Sequence, residues 1–188
     1  MKKILFVIAL IFSAAAAQAA DRYDLDPNHT NITWSANHLG FSNPNGKFAK
    51  AEGFILLDEK NPQNSKVEVI IMTDSIITGI EKFDEHLKGK DFFAVNNFPA
   101  ATFTSTEIIA KGNEAKVFGD LTLLGITKPI MLNVVLNKIG RNQFSKKITA
   151  GFSATAIIKR SQFKMDYAIP LVSDDVKLEI EVEGILVK

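Results

Sequence analysis

The sequence predicts an all-β protein, an antiparallel barrel of about eight strands with one short helical crossover. Most of the chain alternates apolar and polar residues with a period of two, which is typical of strands that bury one face. Short turns rich in Gly, Pro and Asn separate these segments, as in a sandwich or a closed barrel. A single segment, between Ile80 and Asn97, has a spacing of three and four residues and indicates a helix.

The first 19 residues are a predicted signal peptide. Two lysines at positions 2 and 3 precede an apolar run at 4–12, and Ala17 and Ala19 form a small-x-small cleavage site. We expect cleavage after Ala19, or after Ala20, and a single mature domain at residues 20–188. The predicted location is the periplasm, with secretion as a further possibility. A retained, uncleaved anchor is the alternative.

The charge and the absence of cysteine exclude several classes of function. Without Lys2 and Lys3 the chain has 20 basic residues against 21 acidic ones. This balance predicts no nucleic-acid partner, which would require clustered Lys and Arg, and no electrostatic attraction to an anionic membrane surface. Lys146-Lys147 is too short to form a polybasic patch and is expected to be a solvated turn. No stable membrane anchor is expected. Because the chain contains no cysteine, it has no disulfide, thiol nucleophile, thiolate metal site or lipoprotein anchor.

Eight segments carry the alternation in chain order. In the first, Ile32, Trp34 and Ala36 share one face, and in the last, Val176 and Leu178 begin an apolar row that Gly184 interrupts. The eight predicted strands are residues 31–37, 48–57, 66–71, 102–109, 116–123, 130–137, 148–158 and 176–186.

The helical segment lies between the third and fourth predicted strands. Ile80, Phe83 and Leu87 repeat at three and four residues, which indicates a short amphipathic helix. Residues 91–99 then predict an aromatic-rich turn or a second short helix. Together they form the predicted crossover.

A barrel of about eight strands either fills with its own side chains or holds one small ligand. Three of six inward positions on the predicted strand 148–158 are alanines, Ala150, Ala154 and Ala156. They leave room for a ligand, unless a large neighbour such as Trp34 occupies it. The phenylalanines near the turns are equally ambiguous, because they can close a cavity mouth or plug a barrel end.

The sequence predicts neither a catalytic nor a metal site. His38 has inward parity, so its imidazole can orient a ligand head group or bond to the backbone. Asp84, His86 and Asp91 resemble a carboxylate–imidazole metal set, but the chain has no HExxH helix, and we expect Asp84 to cap or pair locally. No G-x-S-x-G elbow occurs. Arg160 is expected to form an ion pair or to meet an acidic head group.

An ordered series of motifs carries a family resemblance. The motifs are Tyr23-x-Leu25-Asp26-Pro27, His29-Thr30, His38-x-Gly40-Phe41-Ser42, Gly46-Lys47-Phe48, Ser75-Ile76-x-Thr78-Gly79, Asp84-x-His86-Leu87, Asp91-Phe92-Phe93, Phe98-Pro99, Thr102-Phe103-x-Ser105-Thr106, Gly119-Asp120-Leu121-Thr122, Gly125-x-Thr127-Lys128-Pro129 and Arg160-Ser161-x-Phe163. Through them the mature chain resembles the YceI family of exported, lipocalin-like proteins over nearly its whole length. One departure is Lys164, where the family often has Gly.

The resemblance implies an eight-stranded lipocalin-like barrel with an elongated apolar cavity, and a possible homodimer. It implies a long-chain isoprenoid, such as a polyprenyl or quinone tail, or a fatty amphiphile as ligand, and no cofactor. The residues expected to line or close the pocket through family motifs are His38, Phe41, Phe48, Phe92, Phe93 and Phe163. Trp34 and Phe152 join them through their inward parity.

The leading hypothesis is therefore a periplasmic protein that carries or sequesters such a lipid and is not an enzyme. One alternative is an enzyme acting on the lipid, with His38 or His86 as acid–base. The other is a structural or stress protein with a filled barrel.

Overall fold

The structure is a computed structural model that describes residues 20–187. The predicted signal peptide lies outside the described residues. The described part contains eleven strand segments and one α-helix. In chain order they are β1 Asp21–Leu25, β2 Asn31–His38, β3 Asn45–Phe48, β4 Ala51–Leu57, β5 Lys66–Met72, β6 Ile76–Ile77, α1 Glu81–Lys88, β7 Ala100–Lys111, β8 Glu114–Leu123, β9 Ile126–Arg141, β10 Ile148–Lys159 and β11 Val172–Leu186.

The strands close into an eight-stranded antiparallel barrel. The ring runs β1-β4-β5-β7-β8-β9-β10-β11 and returns from β11 to β1. At one end, β2 replaces β1 beside β11 and pairs with β3. The segments β1 and β2 therefore act as one bent strand, as do β3 and β4. The predicted fold class is confirmed.

The boundaries differ from the prediction in several places. Strand β9 runs from Ile126 to Arg141 where residues 130–137 were predicted, β11 begins at Val172 and not at residue 176, and the short β6 was not predicted. The predicted strand 48–57 breaks after Phe48, because β3 pairs with β2 while β4 pairs with β1. Strand β1 was not predicted, because only Tyr23 and Leu25 are apolar in a charged segment. Tyr23 is nevertheless 1% exposed and packs against Ile55 and Ala150.

The crossover covers one end of the barrel. Leu87 of α1 packs with Trp34 and Ile76, and the ring of Phe83 lies edge-on to Trp34 at 6.3 Å. Ile80 precedes the helix and is exposed, so it does not extend the apolar face as predicted. The turn at 89–98 follows α1 and places further aromatic rings beneath it. None of the helices in residues 20–187 combines the length and the hydropathy that a transmembrane helix requires.

Candidate functional site

Two apolar cavities follow one another along the barrel axis. The turn-end cavity, of about 280 Å³, reaches the end formed by the β7–β8 turn at Gly112 and Asn113. The helix-end cavity, of about 430 Å³, lies beneath α1. Four apolar residues line both cavities and form a shared waist: Ile32, Ile71, Leu121 and Leu178. The two cavities are thus adjoining compartments of one interior.

The walls come from the inward positions of the alternating strands. On β11, Val182 and Ile180 face the turn-end cavity, Leu178 lies at the waist, and Val176 and Val172 face the helix-end cavity. Because inward residues on a strand recur every second position, a single row spans both compartments. From Val172 to Val182 the strand rises about 33 Å, at roughly 3.3 Å per residue. An extended apolar chain is the shape that fits this interior.

The three inward alanines of β10 have different surroundings. Ala154 lines the turn-end cavity, whereas Ala150 is wholly buried against Tyr23. Ala156 is buried and lines neither cavity. The barrel is therefore hollow at Ala154 and filled at Ala150, where the large neighbour is Tyr23 and not Trp34.

Five of the predicted pocket residues lie on cavity walls. Trp34, Phe48, Phe92 and Phe93 line the helix-end cavity, and Phe152 lines the turn-end cavity. The rings of Phe48 and Phe93 pack edge to face at 5.3 Å, which fixes the wall where β3 meets the turn after α1.

A sixth predicted pocket residue, His38, lines the helix-end cavity but is exposed, and two further ones, Phe41 and Phe163, line neither apolar cavity. His38 ends β2 and lies at the exposed rim of the helix-end cavity, so its imidazole is not buried as its parity predicted. Phe41 lies in the tight turn closed by Ser42, is 89% exposed, and lines neither apolar cavity. Phe163 is 0% exposed and belongs to the core, because the 3-10 turn Arg160–Phe163 directs its ring into packed side chains.

Arg160 organises the segment that borders the helix-end cavity. Its guanidinium donates to four backbone carbonyls: Nε to Ser173 (2.9 Å), Nη1 to Met165 (2.8 Å) and Tyr167 (2.8 Å), and Nη2 to Val172 (2.9 Å). Burial lowers the pKa of Arg160 below its usual value. The expected ion pair was wrong: among residues 20–187 no carboxylate pairs with Arg160, whose donors hold the chain between β10 and β11. Arg160 also lines the helix-end cavity, and its contact with an acidic head group stays a prediction.

The rim of the helix-end cavity contains residues that the sequence did not identify as a group. His86 and Phe92 pack edge to face at 5.0 Å, and Tyr167 contacts both rings at 5.4 and 5.5 Å. Tyr167 comes from the chain between β10 and β11, more than 70 residues away from the others. The crossover motif offers no local signal for that contact.

The suspected metal set at the crossover is not a ligand cluster in the structure. Asp84 Oδ1 accepts hydrogen bonds from the N–H and the hydroxyl of Thr78, at 2.7 and 2.6 Å, which confirms its local pairing. His86 Nε2 lies 4.0 Å from Asp91 Oδ2, beyond hydrogen-bond range.

A different acidic group surrounds His29, which lies in the turn after β1. His29 Nδ1 lies 2.9 Å from Asp26 Oδ2, and Glu183 is close to both. The hydrogen bond with Asp26 raises the pKa of His29, and the same bond lowers the pKa of Asp26. This arrangement is explained by local pairing.

The chain is similar to known proteins over nearly its whole length. A family model for the YceI-like domain matches residues 23–184. A UPF0312 protein of Yersinia pestis is 40% identical over 181 residues, which cover 96% of this chain and 94% of that protein. A UPF0312 protein of Pseudomonas paraeruginosa is 38% identical and covers 98% of each chain.

Two solved structures relate the barrel to known folds. A Campylobacter jejuni YCEI protein superposes with a TM-score of 0.73 at 32% identity, covering 81% of this chain and 90% of that one. A polyisoprenoid binding domain from Saccharophagus degradans superposes with a TM-score of 0.65 at 17% identity, covering 88% and 98%, which shows the fold alone. From the family match and these relatives, the chain belongs to the YceI-like domain family.

Proposed function

We propose that this protein binds a long-chain isoprenoid, such as a polyprenyl or quinone tail, or a related amphiphile, and carries or sequesters it in the periplasm. The observation that carries the proposal is the pair of apolar cavities joined at the waist of Ile32, Ile71, Leu121 and Leu178. Each CH₂ group removed from water contributes about 0.8 kcal/mol. A chain that runs through both cavities can thus bind tightly without many polar contacts.

The polyisoprenoid binding domain from Saccharophagus degradans has the same fold and supports this ligand class. Because it is only 17% identical to this chain, the proposal is based mainly on the cavity. Localisation rests on the predicted signal peptide. A homodimer stays a prediction.

We propose binding without chemical conversion. His38 and His86 border the helix-end cavity, but neither is held by a carboxylate as a general base would be. Among residues 20–187, the one hydrogen-bonded histidine–carboxylate pair is His29 with Asp26, which lies outside both apolar cavities. The proposal predicts no turnover of a bound prenyl lipid, and no such activity that His38→Ala or His86→Ala would abolish.

Organic extraction of the purified protein followed by mass spectrometry is the first test. A stoichiometric prenyl lipid or fatty amphiphile is the expected result. Protein that yields no lipid and also fails to bind added prenyl alcohols would contradict the proposal and favour a filled barrel.

A ladder of prenyl alcohols tests whether one chain uses both cavities. We expect affinity to rise with chain length until both compartments are occupied. Leu178→Trp at the waist should end that rise at a shorter chain, because the bulky ring separates the compartments. Glu179→Trp, on the same strand with the opposite parity, is the matched control and should leave the length dependence intact. Equal behaviour of the two variants would refute the shared interior.

A further inference from the structure

An exposed aromatic residue marks the tip of the loop between β9 and β10. Phe144 is 97% exposed. Its backbone is held in place, because Asn142 Oδ1 accepts the N–H groups of Phe144 (2.8 Å) and Ser145 (3.1 Å). Asn142 N–H also donates to the Lys147 carbonyl at 2.8 Å, closing the loop on itself. The fold thus presents the phenyl ring to the surroundings on an ordered turn.

Four basic residues flank Phe144 in the sequence. Lys138, Arg141, Lys146 and Lys147 are all exposed, and the segment 138–147, here called the basic loop, contains no acidic residue. None of the four side chains forms an ion pair with any residue in 20–187. The total charge of the chain is close to zero, so the overall balance does not reveal this local group of cations. The pair Lys146-Lys147 therefore belongs to a larger basic group than the sequence pattern indicated. Glu181 and Glu183 lie on β11, across β10 from the basic loop, and line one polar surface groove together with Lys138, Arg141 and Phe144.

The basic loop projects beyond one end of the barrel. Strand β8 starts at Glu114, opposite Val135, but β9 continues to Arg141. Those six further residues rise about 20 Å at roughly 3.3 Å per residue. The loop therefore extends past the β7–β8 turn, whose Gly112 and Asn113 line the turn-end cavity.

We propose that the basic loop docks the protein on an anionic lipid bilayer. In this arrangement Phe144 enters the headgroup region, and Lys138, Arg141, Lys146 and Lys147 lie against the lipid phosphates. An aromatic ring flanked by cations is suited to that boundary, since the ring leaves water while the charges stay at the surface. A second copy of the chain fits less well, because two such loops would bring eight positive charges together. Docking brings the turn-end cavity towards the bilayer, where apolar chains reside.

Vesicle sedimentation with the mature, signal-free protein tests the docking. Vesicles that contain phosphatidylglycerol should bind it, and pure phosphatidylcholine vesicles should bind it weakly. Lys146→Glu/Lys147→Glu should weaken binding at least about 25-fold, since each lysine near an anionic surface contributes about fivefold. Phe144→Ser should weaken it about tenfold, because a partly buried ring contributes about that much.

Matched controls lie at the other end of the barrel. Phe41→Ser removes an equally exposed ring, and Lys82→Glu/Lys90→Glu makes the same change in charge. Both should bind vesicles like the unmodified protein.

Several results would overturn the proposal. The protein could bind anionic and neutral vesicles equally well, or Phe144→Ser could bind as strongly as the unmodified protein. The control variants could also lose as much binding as the variants of the basic loop. A concentration-dependent dimer that Phe144→Ser abolishes would assign the surface to a second copy instead. Docking requires no ligand in the barrel. A negative vesicle assay would therefore contradict only the docking, and a negative lipid extraction would contradict only the proposed function.

Discussion

Replacing Ala154 by leucine distinguishes a hollow barrel from a filled one. Ala154 lines the turn-end cavity, so the larger side chain enters empty space instead of packed atoms. Leucine adds three carbon groups, and at about 0.8 kcal/mol per buried group the free energy of unfolding of the ligand-free protein should rise by up to about 2.4 kcal/mol.

The same substitution should weaken ligand binding. The leucine side chain occupies volume that the lipid chain would otherwise fill, so a comparable length of ligand loses its apolar environment. The expected cost is up to about 2.4 kcal/mol, or about 50-fold in the dissociation constant. A gain in stability coupled to a loss of affinity is the signature of a binding cavity.

Urea unfolding of delipidated protein measures the first effect, and fluorescence titration with a prenyl alcohol that fills both cavities measures the second. Ala156→Leu is the matched control, because Ala156 has the same parity on the same strand but is buried and lines neither apolar cavity. It should lower the free energy of unfolding by about 1–3 kcal/mol through overpacking. The reasoning is refuted if Ala154→Leu destabilises the protein as much as Ala156→Leu, or if it leaves the affinity unchanged.

Three further predictions concern polar residues, of which Arg160 also lines the helix-end cavity. Arg160→Ala should lower the free energy of unfolding by at least about 3 kcal/mol, because it leaves the carbonyl groups that Arg160 binds without a hydrogen-bond donor. A loss below about 1 kcal/mol in urea unfolding would contradict this. Lys164 has φ +60°, so Lys164→Gly should raise the free energy of unfolding by about 1 kcal/mol by relieving backbone strain, and a lower urea midpoint would show the opposite. The hydrogen bond with Asp26 raises the pKa of His29 above its usual value of 6.5. The bond therefore stabilises the fold fully when the pH is below 6.5, and this stabilisation is lost as the pH rises through the pKa of the folded state. His29→Gln should therefore reduce the fall in urea midpoint between about pH 5.5 and about pH 8.5, and an unchanged fall would exclude this pair as its source.

The sequence contained most of the fold because alternation reports burial directly. Val176 and Leu178 face inward as their period predicts. The first strand escaped prediction because its single pair of apolar residues cannot define a period. The break after Phe48 was not predictable either. It arises because β3 pairs with β2 whereas β4 pairs with β1, and such a change of partner does not alter the local alternation of residues.

The candidate site was less accessible to sequence reasoning. Ala150 and Ala154 are identical in type and parity, yet only Ala154 faces empty space, because Tyr23 fills the interior at Ala150. Phe41 and Phe163 both belong to family motifs, but one ring is exposed and the other is core. These outcomes depend on which side chains arrive from distant strands, and no single segment encodes them.

The seam that closes the barrel constrains the order in which the chain can fold. Strand β1 pairs with the end of β11 through Tyr23↔Leu186, Asp24↔Ile185 and Leu25↔Gly184. These partners are roughly 160 residues apart, and contacts at such separation slow folding because the loop entropy is lost before the contact forms. The cylinder therefore cannot be completed until the segment 184–186 of β11 is available. Loss of that segment would leave β1 paired with β4 alone and the interior open along one side.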